Sequence, residues 1–152
     1  MSQLWAIVAG DGSFVLRFTA SNAAHPAQSG HADECEGCAV WPLARDPRLS
    51  LGEGIDPESG AFDFDLARVE AALIASIKTE AARRIESIAP LWRQINDLAE
   101  PQAVGASERR AAIDEIRAWS NQAEAMLAEA VDADDLETVL QSIAAGWPET
   151  SP

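Results

Sequence analysis

Hydrophobic and polar positions follow two different periods along this chain, and the change between them falls near Phe64. Leu4 to Ala9 is apolar and partly β-branched. Gly10-Asp11-Gly12 follows, and Phe14 to Thr19 resumes with apolar side chains at alternate positions. Alternation of this kind buries one face of a strand, and glycine tolerates the positive φ of tight turns, so the stretch predicts a β-hairpin. Between Ala20 and Gly60 the chain is rich in proline and glycine and holds no sustained helical period, which predicts loop with short strands. Val40 to Leu43 and Ala61 to Phe64 are the candidate strands, the second introduced by the turn sequence Asp56-Pro57-Glu58-Ser59-Gly60. Paired with the hairpin, they make one small antiparallel sheet.

Past Phe64 the apolar positions Leu66, Val69, Leu73, Ile77, Ala81, Ile85, Ile88, Trp92, Ile95 and Leu98 recur at helical spacing, which draws one stripe along one long helix. Asp63 or Asp65 can cap its start, and Pro101 lies just past its end. Pro90 falls inside the stripe, where it removes a backbone donor and crowds the preceding turn, so a kink near Ala89 or a break into two helices is expected. After a small-residue loop from Ala99 to Ala106, Ser107 can cap a second helix with Ala112, Ile113, Ile116, Trp119, Ala123, Met126, Leu127 and Ala130 on its apolar face. The short connection makes the two helices antiparallel neighbours. Bending at Pro90 then turns Trp92 onto the second helix near Trp119 or Ala123. Asp132-Ala133-Asp134-Asp135 suits the N-terminus of a last short helix carrying Leu136, Val139, Leu140 and Ile143, which Gly146 ends before Trp147 and Pro148 open a tail.

The predicted architecture is therefore α+β: a small β-rich part over 1–64, an antiparallel amphipathic helical hairpin with a short C-terminal helix over 65–148, and a tail over 149–152. Apolar residues make up 47% of the chain, enough for a packed core rather than a disordered polymer. A hairpin of this size covers little of its own apolar stripes. The N-terminal sheet, a second copy or another protein is expected to complete them.

Charge narrows the partners. Twenty-five acidic residues against 11 basic ones give a formal net charge of −14, whose field repels nucleic-acid backbones and anionic membranes. The run Met1 to Gly10 is short and unpreceded by basic residues, unlike a secretory signal or a membrane span. A cytoplasmic protein without nucleic-acid or membrane partners is expected. Lys78, Arg83 and Arg84 stand among Glu80 and Glu86 at the spacing of solvated helical ion pairs, and Arg109-Arg110 forms a second basic cluster.

Candidate chemistry is confined to two places. His25, His31, Cys35 and Cys38 are four zinc-type ligands in one loop, with Cys35 and Cys38 at the CxxC spacing that lets two thiolates reach one ion. Against a zinc site stands its flexible setting, since structural sites place their ligand pairs on separate elements. Two reduced thiols in a surface loop are the simpler reading. Trp92, Trp119 and Trp147 are the second set: the first two lie on apolar stripes and read as packing, whereas all three can anchor a partner. No nucleophile elbow, P-loop or dinucleotide fingerprint is present, so no enzymatic reading has residues to stand on.

Two segments carry a family likeness. Lys78 to Ile85 with Pro90 to Leu98, and Arg110 to Asn121, resemble helices of small proteins encoded in the tail modules of tailed bacteriophages and prophages. The resemblance spans roughly 65–148. It implies a non-enzymatic tail structural or tail-fibre assembly role, chaperone-like, with phage tail or tail-fibre proteins as partners and action in the host cytoplasm or the virion tail. The alternatives are a zinc-binding module built on the histidine and cysteine loop, and an acidic mimic of DNA. The mimic is weakened by Lys78, Arg83, Arg84, Arg109, Arg110 and Arg117, which interrupt any acidic stripe.

Overall fold

The computed structural model describes residues 2–21 and 37–149, which fall into two compact units, Met1–Leu66 and Ala67–Pro152. The first is β-rich and the second helical, so the α+β reading holds.

In the first unit β1 (Ser2–Val8) and β2 (Phe14–Ser21) form the expected antiparallel hairpin, with Leu4 opposite Thr19 and a bulge at Ile7/Val8. Its turn closes where Gly12 takes φ 80° and Asp11 Oδ1 accepts from the Ser13 amide and hydroxyl. β3 (Ala39–Leu43) pairs antiparallel with the free edge of β1. The second candidate strand does not join this sheet. β5 (Phe62–Phe64) instead pairs with β4 (Glu53–Ile55), giving a separate two-stranded sheet. β4 is three residues long and contains a glycine, so no alternation announces it. Ala6, Val8, Leu43 and Ile55 form the core, with Leu4, Phe14, Trp41 and Phe62 packed on it.

So short a strand needs more than its ladder. Glu53 of β4 is buried, and its carboxylate accepts from Arg45 Nη1 and Nη2 at 2.8 and 2.7 Å and from the Arg48 amide and guanidinium at 2.7 to 3.2 Å. Arg45 also lies over the Phe62 ring, 4.1 Å from its centroid. The two arginines together hold the Glu53 carboxyl at about 2, Arg45 contributing most.

In the second unit the long stripe is cut at Pro90 as expected, into α1 (Glu70–Ile88) and α2 (Leu91–Ala99). Neither expected aspartate caps α1. A 3₁₀ turn over Leu66–Arg68 leads into it and Val69 stands at its cap position. α3 (Ala106–Ala128) begins after Gly105 in the left-handed conformation, which leaves Ser107 inside the first turn instead of capping it. Its buried side chains Ile113, Ile116, Ser120, Ala123 and Leu127 step by three and four, the spacing of a helical seam, and α1 and α4 (Ala133–Gly146) both pack on it. Ile77 and Ala81 enter from α1, Leu136 and Ile143 from α4. Lys78 of α1 lies 3.5 Å from Glu124 of α3, a solvated ion pair across the seam. Asp132 caps α4 as expected, accepting from the Asp135 amide at 2.7 Å. Gly146 lies so close to Trp119 that a β-carbon there would come within 2.1 Å of the indole.

These contacts yield two predictions. Glu53 titrates below its unfolded value, so its contribution is complete above about pH 4.5 and is lost as pH falls from there toward about 2. Acid titration followed by near-ultraviolet circular dichroism should show this loss in the first unit. Glu53→Gln should remove about 2 kcal/mol at neutral pH and flatten that acid limb, because two arginines then share no carboxylate. Gly146→Ala overfills the contact with Trp119 and should cost about 1–3 kcal/mol in urea unfolding. An unchanged midpoint would mean that the two helices separate freely there.

Candidate interaction surface

The break at Pro90 frees α2 to choose its own rotation. Ala89 is buried and extended, as a residue before proline prefers, and the Pro90 carbonyl accepts from the Arg93 and Gln94 amides to start the helix. Gln94 Nε2 donates back to the Ala89 carbonyl at 2.8 Å. A nine-residue helix is too short to be stable by itself, so its phase is set by whatever it docks on.

What it docks through is its polar face. Asp97 is 3% exposed, and its two carboxylate oxygens accept from Arg109 Nε and Nη2 of α3 at 2.7 and 2.6 Å, a bidentate pair. Gly105 leaves room for that guanidinium: a β-carbon there would lie 2.7 Å from Arg109 Nη1, which together with Nη2 also reaches the Val104 carbonyl. The pair lowers the Asp97 carboxyl below its ordinary range, Arg109 being the chief cause, and raises the Arg109 guanidinium in return.

With Asp97 turned onto α3 and Arg93 and Gln94 half-buried on its flanks, the apolar side chains of α2 point outward. Leu91 is 65% exposed, Trp92 60%, Ile95 56% and Leu98 70%, and they adjoin one another at helical spacing. The helix is amphipathic with its polarity reversed. Trp92 therefore does not turn onto α3 near Trp119 or Ala123, as its place on the stripe predicts; beside it lie Ile88, Pro90, Arg93 and Arg109. Two grooves border the apolar face. One, of about 240 Å³, runs past Leu98, Arg110, Ile113 and Arg117, and the other, of about 630 Å³, past Trp92, Arg93 and Arg109.

The other expected anchors are built into the unit. Trp119 is half-buried with its ring against Gly146. Trp147 is half-buried beneath Arg84, whose guanidinium lies 5.0 Å from the ring centroid and donates to the Pro148 carbonyl. Arg84 and Arg83 both pair with Glu80, the solvated helical pairing expected of this run. Of the three tryptophans, Trp92 alone offers a largely exposed ring.

The histidine and cysteine loop is a different case. His25, His31 and Cys35 lie outside the described residues; Cys38 is disulfide-bonded, not the reduced thiol of the simpler reading. Among the described residues no group of three or more histidine, cysteine or acidic side chains is placed to hold a metal ion. No described helix is long and apolar enough to cross a membrane. No family model, curated protein or solved structure matches the chain.

Asp97, and its pairing with the Arg109 of the basic cluster, are what sequence reasoning missed. Their signal is present all the same: read separately from Pro90 onward, α2 has Leu91, Ile95 and Leu98 on one side and Arg93, Gln94 and Asp97 on the other, and nothing obliges its apolar side to continue the stripe of α1. Because ionised Asp97 anchors α2, its contribution is complete above the ordinary aspartate range and is lost as pH falls below about 4. Amides of α2 should then exchange faster at pH 3 than at pH 6 after correction for intrinsic rates, and Asp97→Asn should show the fast behaviour at both values. Trp92→Ala, in contrast, should leave the melt unchanged. A pH-independent protection of α2 would show that its docking does not depend on the ion pair.

Proposed function

We propose that the protein is a non-enzymatic assembly factor that works through protein–protein contacts, with the outward apolar face of α2 as its docking element. The reversed polarity of α2 carries this reading. A monomer with no partner would gain by burying Leu91, Ile95 and Leu98 and leaving Asp97 in water, since burying an ion pair seldom outweighs burying apolar side chains of similar size. The opposite arrangement suits a helix whose apolar face is covered in use, and contiguous exposed apolar side chains on a folded protein mark such places. Tryptophan is among the residue types that most often anchor an interface, and Trp92 stands exposed at the edge of this face.

The segments that resemble phage tail-module proteins coincide with α1, α2 and α3, so the docking face lies within the resemblance. We therefore place the partner among phage tail or tail-fibre proteins, met in the host cytoplasm during assembly. Co-expression with the products of the reading frames that flank its gene tests this. A complex with one of them should form with the parent chain and be lost with Ile95→Glu, a surface change that should alter folding stability by no more than about 0.5 kcal/mol. Retention of the complex by a folded Ile95→Glu protein would refute α2 as the docking element.

A further inference from the structure

Acidic residues outnumber basic ones by more than two to one in this chain, so an arginine without a carboxylate partner is unexpected. Among the described residues Arg45 and Arg48 pair with Glu53, Lys78 with Glu124, Arg83 and Arg84 with Glu80, Arg109 with Asp97, and Arg117 with Asp114. Arg93 and Arg110 form no ion pair of their own; the carboxylate whose titration both of them lower, Asp97, is already held by Arg109. Arg93 lies over the Trp92 ring, 5.7 Å from its centroid, and Arg110 donates only to the backbone carbonyls of Ala106 and Pro101, both at 3.3 Å. The two arginines stand in different grooves, one on each side of the apolar face of α2.

Resting on the reading of that face as a docking element, we propose that its occupant is an amphipathic helix of another protein, with an apolar stripe flanked by carboxylates. Leu91, Trp92, Ile95 and Leu98 take the stripe, and Arg93 and Arg110 take a carboxylate on either side, where partial removal from water strengthens each pair. The acidity of the whole chain does not forbid this. Residues 88–117 carry five carboxylates and four arginines, and charges further away are screened beyond about 8–10 Å at ordinary salt.

A second copy fits less well. The outward face of its own α2 holds no carboxylate, and its acidic stretch from Glu129 to Glu137 has one large exposed apolar neighbour, Val131, where a stripe is required.

Two labelled synthetic helical peptides of about 18 residues, with the same leucine stripe flanked by glutamate in one and lysine in the other, test the proposal by fluorescence anisotropy on the intact protein at about 50 mM salt. The glutamate peptide should bind about tenfold more tightly, Ile95→Glu should abolish its binding, and the double variant Arg93→Glu, Arg110→Glu should reverse the order. Circular dichroism confirms that each variant is folded. Equal binding of both peptides, still lost in Ile95→Glu, would overturn the acidic partner and leave the docking face standing. Binding indifferent to Ile95→Glu would overturn both. If neither peptide binds, the acidic helix is likewise wrong. Sedimentation equilibrium showing self-association through Ile95 would assign the face to a second copy, and co-sedimentation with phosphatidylcholine–phosphatidylserine vesicles, lost in Ile95→Glu, would assign it to a membrane surface; either result overturns the proposal.

Discussion

The bidentate contact between Asp97 and Arg109 determines which way α2 faces, and most of what distinguishes the helical unit follows from that choice. The helix is preceded by an extended residue and a proline, so no continuous hydrogen-bond ladder transmits the phase of α1 into it. It is also too short to hold its conformation by propensity. Once Asp97 is buried against Arg109, any displacement of α2 that parts the two without hydrating both leaves an uncompensated charge, so the contact holds this rotation even though a full turn would bury the leucines and return Asp97 to water. The pair therefore acts as a specificity device: it selects one rotation of α2 among several that would pack.

The first unit uses the same device on a strand. β4 has three residues and contributes Ile55 to the core, too little apolar area to fix its register, and Glu53 next to it is clamped by Arg45 and Arg48. In both places a carboxylate on a short element meets an arginine on a neighbouring segment, and the planar guanidinium supplies direction that hydrophobic contact lacks. Elsewhere in the helical unit pairing is of the ordinary solvated kind, as with Glu80 and Arg83, where the stakes for the fold are small. Basic residues thus appear chiefly where they secure something, and the stretch 118–149, which needs no such clamp, carries seven carboxylates and no basic residue.

Long elements were legible in the sequence and short ones were not. The hairpin, the break at Pro90, the seam of α3 and the Asp132 cap each follow from a local rule with many residues or a strong breaker behind it. β4 escaped because three residues cannot show a period, and β5 was read correctly as a strand but given to the wrong sheet, since pairing partners are a matter of tertiary contact. The caps of α1 and α3 failed for a related reason: a 3₁₀ entry and a left-handed Gly105 satisfy the helix starts by backbone geometry, which side-chain preference does not reveal. The rotation of α2 was misread because the apolar stripe was carried through a proline. A break that interrupts hydrogen bonding also interrupts phase, and the polar side of α2 contained the carboxylate that decided it.

The dimensions of this face bear on how long a complex would last. Under the proposed reading four side chains on nine residues form the anchor, whereas a stable protein–protein interface buries about 1,600 Å² in all. An anchor of that length covers a small share of such an area, so α2 by itself supports a contact of modest lifetime. Its orientation is already fixed by Asp97 and Arg109 before any partner arrives, which removes the ordering cost that a flexible segment would pay on binding. A preset, small apolar face with arginines at its margins favours rapid, reversible association steered by local charge. Such contacts suit a factor that escorts a partner during assembly better than one built permanently into a finished particle, and they give the two grooves beside α2 a part to play, since a longer occupant would extend along them to gain the remaining area.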